Sequence, residues 1–247
     1  MCFDLDSVPP IPAIEGGAVD HRDLELAASD GNRFAAFAAL PEEKSDVGVV
    51  ILPDVRGLYR FYEELALRFA ERDIAAIAFD FYGRTAGAEK RGEDFDYSEH
   101  RAQTTPEGIQ ADVRAAADWL RDQGAGSIFT VGFCFGGRHS WLASASGHGL
   151  KGAVGFYGMP GGDSPNPIDR APAMEAPVLA LQGGADAHIT AEHNDAFDHA
   201  LREAGVEHEV IAYPGAPHSF FDRKQEEFAD ASEDAWNRTL AFIDRYR

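Results

Sequence analysis

The sequence predicts an α/β protein with a mostly parallel central sheet and helices on both faces. Three observations carry this. Short, continuous apolar runs recur along the chain, as in strands buried on both sides. Amphipathic or well-capped helical stretches separate them. Glycine, proline and aspartate punctuate the joins. Strands that alternate with helices become parallel neighbours joined by crossovers.

The elements follow in order. Residues 32–40 read as a strand entered through Asp30 and Gly31. Residues 47–52 (VGVVIL) form an uninterrupted apolar strand. Phe61, Leu65 and Phe69 recur at helical spacing, so residues 61–72 read as an amphipathic helix. Residues 74–79 are a further apolar strand, and residues 82–105 a polar, glycine-containing loop. Thr105 and Pro106 are an N-cap and first-turn pair opening a helix to about residue 123. Strands are then expected at 127–131, 153–157, 178–181 and 206–213. Helices are expected at 135–146, 191–204 and 229–246, and a Pro/Gly-rich loop at 159–176. No composition shift marks a linker. The expectation is one domain over residues 1–247, with residues 1–20 a loosely ordered segment.

Composition narrows the function. The 247 residues carry a formal charge of −20, which argues against nucleic acid and anionic membrane as partners. No apolar run approaches a membrane span, and the first residues are acidic where an export signal would be basic. A cytoplasmic protein is expected, as a monomer or small homo-oligomer. Its 2 cysteines make no disulfide framework: Cys2 sits at a terminus expected to fray, and Cys134 lies deep in the strand-helix pattern.

Cys134 poses the functional question. Gly132-Phe133-Cys134-Phe135-Gly136 has the form G-x-C-x-G, after a predicted strand and before a predicted helix. With serine in place of cysteine, this is the nucleophile elbow of α/β-hydrolases. Flanking glycines relieve crowding at a tight turn, and the helix N-terminus offers backbone donors and a positive dipole end to a thiolate. The competing reading is a small buried cysteine beside helix-packing glycines. In this fold the nucleophile is followed by an acid and then a histidine. Asp186 follows the strand at 178–181, and His218 follows the strand at 206–213. Each alone is compatible with a turn cap or a surface loop; together they stand in the required order.

The chain resembles the dienelactone hydrolase family of α/β-hydrolases. The matching residues are G-F-C-F-G-G at 132–137, G-G-A-D at 183–186 and P-H-S-F at 217–220, with P-D-V-R-G at 53–57 and D-F-Y-G-R at 80–84. The resemblance implies an α/β-hydrolase fold and a Cys134–Asp186–His218 triad. It also implies an oxyanion hole from the backbone N–H groups of Phe135 and Val55. Asp54 stands where the family has a glutamate that restrains the thiol; one methylene shorter, it could instead contact substrate or cap its own loop. Family arginines that hold a substrate carboxylate point to Arg101, while the second position falls on Asp222 with Arg223 one residue later. Arg84 is a further candidate for substrate contact. His188 and His193 raise a metal site, but read more simply as residues leading into a helix. No cofactor and no metal are expected. The function implied is hydrolysis of a small-molecule ester or lactone through an acyl-cysteine. Thioesterase or acyltransferase chemistry, and a non-catalytic thiol sensor or binding protein, are the alternatives.

Overall fold

A computed structural model describes residues 4, 6–15, 19–92 and 94–247. Eight strands form one sheet in the order β1-β2-β4-β3-β5-β6-β7-β8. They are β1 (Val19–Ala27), β2 (Arg33–Pro41), β3 (Val47–Leu52), β4 (Ala75–Phe79), β5 (Ser127–Phe133), β6 (Gly152–Phe156), β7 (Val178–Gly183) and β8 (His208–Tyr213). β3 to β8 run parallel, and β1 and β2 are antiparallel additions at one edge. The longer helices are α1 (Arg60–Ala70), α4 (Pro106–Gln123), α5 (Phe135–Ser144), α7 (Ala191–Glu203) and α8 (Ala229–Tyr246). Three short ones, α2 (Gly83–Ala86), α3 (Tyr97–Ala102) and α6 (Pro167–Arg170), lie within stretches the sequence presents as loops.

The period-two rule sorts the core into two layers. From β3, Val47, Val49 and Ile51 join one layer with Phe61, Leu65 and Phe69 of α1 and Trp236 and Phe242 of α8. Val50 and Leu52 join the other layer with Val113 and Leu120 of α4. Further along the sheet, Val178 and Ala180 of β7 meet Trp141 of α5 and Phe197 of α7. Each fully buried Phe or Leu contributes about 1.5–3 kcal/mol. The ends of α4 are fixed locally: Thr105 Oγ1 accepts from Gly108 N at 3.1 Å, and Gly124 stops the helix at φ 111°.

The strand order reverses at β3. The chain leaves β3 through α1 toward β4, then returns through α4 to place β5 on the other flank of β3. α1 and α5 therefore leave adjacent strands toward opposite faces, which opens a crevice at the carboxyl ends of β3 and β5. Leu52 is directly opposite Gly132. Residues 53–57 and Cys134 thus emerge side by side.

Two expectations are corrected. β1 was absent from the sequence reading; it is an edge strand that is largely exposed, and its charged Asp20, Arg22, Asp23 and Glu25 erase any apolar alternation. Among the described residues of the N-terminal segment, several are anchored. Ile11 is buried in the core, and Ser7 Oγ donates to Asp222 Oδ2 at 2.7 Å. Arg223 N donates to Val8 O at 3.1 Å. This strap docks on a loop more than 200 residues away, a contact invisible to local pattern. Cys2 lies outside the described residues.

The tight joint between α5 and β3 makes a specific prediction. A Cβ at Gly136 would overlap the carbonyl oxygens of Leu52 and Pro53, whereas one at Gly92 meets nothing. Gly136→Ala should cost at least the ~1–3 kcal/mol of overpacking, because backbone cannot step aside as a side chain can. Gly92→Ala should stay within about 0.5 kcal/mol of wild type. Urea denaturation of both variants checks the contrast.

Candidate active site

Cys134 occupies the turn between β5 and α5 with φ 53° and ψ −110°. A non-glycine residue in this region is strained, and such strain persists only where the surroundings over-determine it. Here they do. Cys134 N donates to Phe156 O at 2.9 Å, and Arg138 N donates to Cys134 O at 3.3 Å. A Cβ at Gly132 would collide with the Gly136 carbonyl. A Cβ at Gly137 would lie 2.7 Å from Phe156 O. The three glycines let β5, β6 and α5 converge, and the convergence dictates the backbone of the residue between them.

Asp186 and His218 meet across two neighbouring loops. His218 Nδ1 and Asp186 Oδ2 are 2.6 Å apart. The other carboxylate oxygen of Asp186 accepts from His188 N at 2.8 Å and Ile189 N at 3.1 Å. Burial pushes the Asp186 pKa upward, but the His218 hydrogen bond and these two N–H groups outweigh it, leaving it below the usual carboxylate value. The loops themselves are clamped backbone to backbone. Ala185 N donates to Ala216 O at 2.9 Å and Gly184 N to Tyr213 O at 2.7 Å. A side chain at Gly183 would strike the carbonyl oxygens of Ala216 and Pro217. The Tyr157 ring, on a residue at φ 37°, packs 5.0 Å from the His218 ring.

Cys134, His218, Val55 and Phe135 all line one cleft of about 990 Å³. The N–H groups of Val55 and Phe135 donate to no other described residue. Val55 is held from behind: its carbonyl oxygen accepts from the Tyr82 hydroxyl, whose pKa burial raises. Asp80 accepts from Leu58 N at 3.2 Å and Tyr82 N at 2.8 Å, and Arg91 pairs with it at 2.9 Å. A buried ion pair therefore pins the loop carrying Val55 to the end of β4.

Of the expected substrate contacts, the structure brings one into the cleft. Arg101 lines it, with its guanidinium 5.7 Å from the Phe135 ring centroid and no carboxylate partner among the described residues. Arg84 does not. It pairs with Asp112 at 2.6 Å and Asp30 at 2.7 Å, and lines a different surface depression. Arg223 is exposed and outside the cleft lining. Asp54 is buried and bonds within its own loop: it accepts from Arg56 N at 2.9 Å and pairs with the Arg56 guanidinium at 2.7 Å. These partners favour the loop-cap reading of Asp54 and a structural role for Arg84. His188 lines the cleft, whereas His193 Nδ1 accepts from Thr190 N at 3.1 Å at the start of α7.

Two cleft residues escaped the sequence reading. Arg138, one turn after Cys134, donates to the carbonyls of Met159, Gly161, Asp163 and Pro165, binding the cleft's outer wall to α5. His139 is 3% exposed and lines the cleft with its ring 4.6 Å from that of Phe135. Their position one turn beyond the nucleophile was the available signal.

The profile of the dienelactone hydrolase family matches residues 34–247. An Escherichia coli (strain K12) protein is 31% identical over 235 residues, covering 88% of this chain and 84% of its own. A carboxymethylenebutenolidase of Rhodococcus opacus is 29% identical over 259 residues, covering 100% and 97%. The crystal structure of a Klebsiella pneumoniae protein superposes with a TM-score of 0.81 at 28% identity, covering 93% of this chain and 100% of that one. An acylaminoacyl peptidase of Pyrococcus horikoshii shares the fold at TM-score 0.75 and 14% identity, over 94% of this chain and 42% of that one. An eight-stranded α/β-hydrolase sheet and a match across most of the chain lead to one conclusion: this protein is a hydrolase belonging to the dienelactone hydrolase family.

Proposed function

We propose that the protein hydrolyses small-molecule esters or lactones through a covalent acyl-cysteine on Cys134. The observation that carries this reading is the strained Cys134 at the N-terminus of α5, in one cleft with His218. Asp186 accepts the Nδ1 proton of His218, which leaves Nε2 to act on the thiol. His218 takes the Cys134 proton as the sulfur attacks the acyl carbon. The carbonyl oxygen becomes an oxyanion, to which the N–H groups of Phe135 and Val55 donate. Collapse expels the alkoxide, and His218 returns its proton to that oxygen. Water then adds to the thioester with His218 as base, and the carboxylic acid departs as the thiol reforms. With a lactone, acid and alcohol leave as one molecule. The uncommitted charge of Arg101 supports a substrate carrying an anionic group.

Cys134→Ala should lower turnover of an activated aryl ester by about 10³ or more, as nucleophile removals do. Iodoacetamide should inactivate the wild type with the label on Cys134. Turnover that survives in the alanine variant refutes the covalent route.

Asp186→Asn should remain folded, yet slow the reaction by roughly 10³-fold or more, because the amide favours the wrong imidazole tautomer. His218→Ala should do comparable damage. Wild-type rates for Asp186→Asn would assign the acid elsewhere.

Asp54→Ala leaves the Arg56 guanidinium, which is largely buried, without its carboxylate. Loss of one partner of a buried pair costs about 3–5 kcal/mol. The expected result is a lower unfolding midpoint together with a reduced kcat. If Asp54 faced the substrate instead, KM would rise while the midpoint stayed in place; thermal melts and steady-state kinetics separate the two.

A further inference from the structure

His139 sits at the cleft wall, yet it is a buried side chain whose Nδ1 hydrogen-bonds no other described residue. Its backbone carbonyl is satisfied by Gln110 Nε2 at 3.0 Å, so the ring alone is left open. Buried polar groups in folded proteins are almost always paired, and an orphan costs stability that needs a reason. Three neighbours define what the ring can meet. Phe135 holds it edge-to-face at an interplanar angle of 64°. Arg138 precedes it in the chain and spends its guanidinium on the carbonyls of the 159–165 wall. Arg101 covers the Phe135 ring. Burial first, and then the positive charge of Arg138, hold the His139 pKa at about 3. The imidazole is therefore neutral, with one N–H donor and one nitrogen acceptor to offer.

Resting on the acyl-cysteine reading, we propose that His139 is a specificity-determining residue that hydrogen-bonds an uncharged oxygen substituent on the acyl chain of the substrate. The acyl side follows from where the walls stand. The leaving group departs toward His218, which packs on Tyr157. His139 and Phe135 instead share a wall with Arg101, and Phe81 backs the Phe135 ring from the core. His139 lies five residues beyond Cys134 and lines the same cleft, so the recognised oxygen belongs several bonds along the acyl chain and not at the scissile carbonyl. A neutral imidazole answers a keto oxygen with its N–H and a hydroxyl with its lone pair.

The experiment compares p-nitrophenyl 5-oxohexanoate with p-nitrophenyl hexanoate, and 4-oxopentanoate with pentanoate, each rate normalised to its hydroxide-catalysed hydrolysis. Wild type should favour at least one oxo ester in kcat/KM by about tenfold, the value of one good hydrogen bond. His139→Leu should bring that ratio close to one and raise the unfolding midpoint, since an orphaned polar group has been replaced by an apolar one. His139→Gln, which restores an amide donor and acceptor, should recover part of the preference. Equal ratios in wild type, or a preference that survives His139→Leu, overturn the proposal. If His139→Leu does not fold, the wild-type ratio and its change in His139→Gln decide alone. Cys134→Ala run on plain hexanoate tests the underlying chemistry separately: its turnover must vanish. Cysteine-dependent turnover without an oxo preference therefore defeats this assignment and leaves the mechanism intact.

Discussion

The structure depends on one close approach, that of the first turn of α5 against the end of β3. Gly136 touches the Leu52 and Pro53 carbonyls, and Gly132 touches Gly136 from the other side. No side chain larger than hydrogen permits this distance. With β5 entering and α5 leaving at such proximity, the single residue between them is forced to φ 53°. The strain is therefore a consequence of packing, sustained by core burial on both faces of the sheet. The same approach sets Cys134 beside Val55, because the strands carrying them are hydrogen-bonded neighbours. Candidate nucleophile and candidate oxyanion donors are products of one piece of backbone geometry.

Asp186 and His218 meet by a second convergence of the same kind. Gly183 and Gly184 let the loop after β7 lie against the backbone of the loop after β8. Asp186 then reaches His218 with its other oxygen already occupied by two N–H groups. A carboxylate so restrained cannot rotate away from the imidazole. Asp54 shows the opposite case. It stands at the same sheet edge and carries the same charge, but Arg56 absorbs it. Its place in the 53–57 stretch leaves substrate contact and loop cap both open, and the partner two residues away favours the cap.

What the sequence disclosed follows from how local each signal is. α4 was legible to the residue, because Thr105, Pro106 and Gly124 act within one turn of themselves. β3 was legible because both of its faces are buried and every residue is apolar. The order of Cys134, Asp186 and His218 was legible because fold connectivity is written along the chain. β1 was not, since a solvated edge has no apolar rhythm. The docking of Ser7 on Asp222 was not, since nothing within either segment encodes the other. The partners of Arg84 were hidden for the same reason: Asp112 stands 28 residues away and Asp30 stands 54 away. An arginine in a family-matching stretch looks the same whether it awaits substrate or closes an ion pair.

Arg138 links the electrostatics of the cleft to its shape. A chain of formal charge −20 repels anions at long range. Within the cleft the balance reverses, because Arg101 and Arg138 outnumber Asp163 among the charged lining residues. Arg138 is solvated by four backbone carbonyls, and among the described residues no carboxylate lies within ion-pair distance. Carbonyl dipoles stabilise a cation without cancelling its charge. Burial lowers its pKa, and Asp163 and Asp169 oppose that from a distance. Its positive field persists beside Cys134, and, after burial, it is the second influence that holds the adjoining His139 uncharged. Replacing the carbonyl cage by an acidic partner would preserve the wall and extinguish the field. The choice of carbonyls is what allows one side chain to brace the cleft and polarise it together.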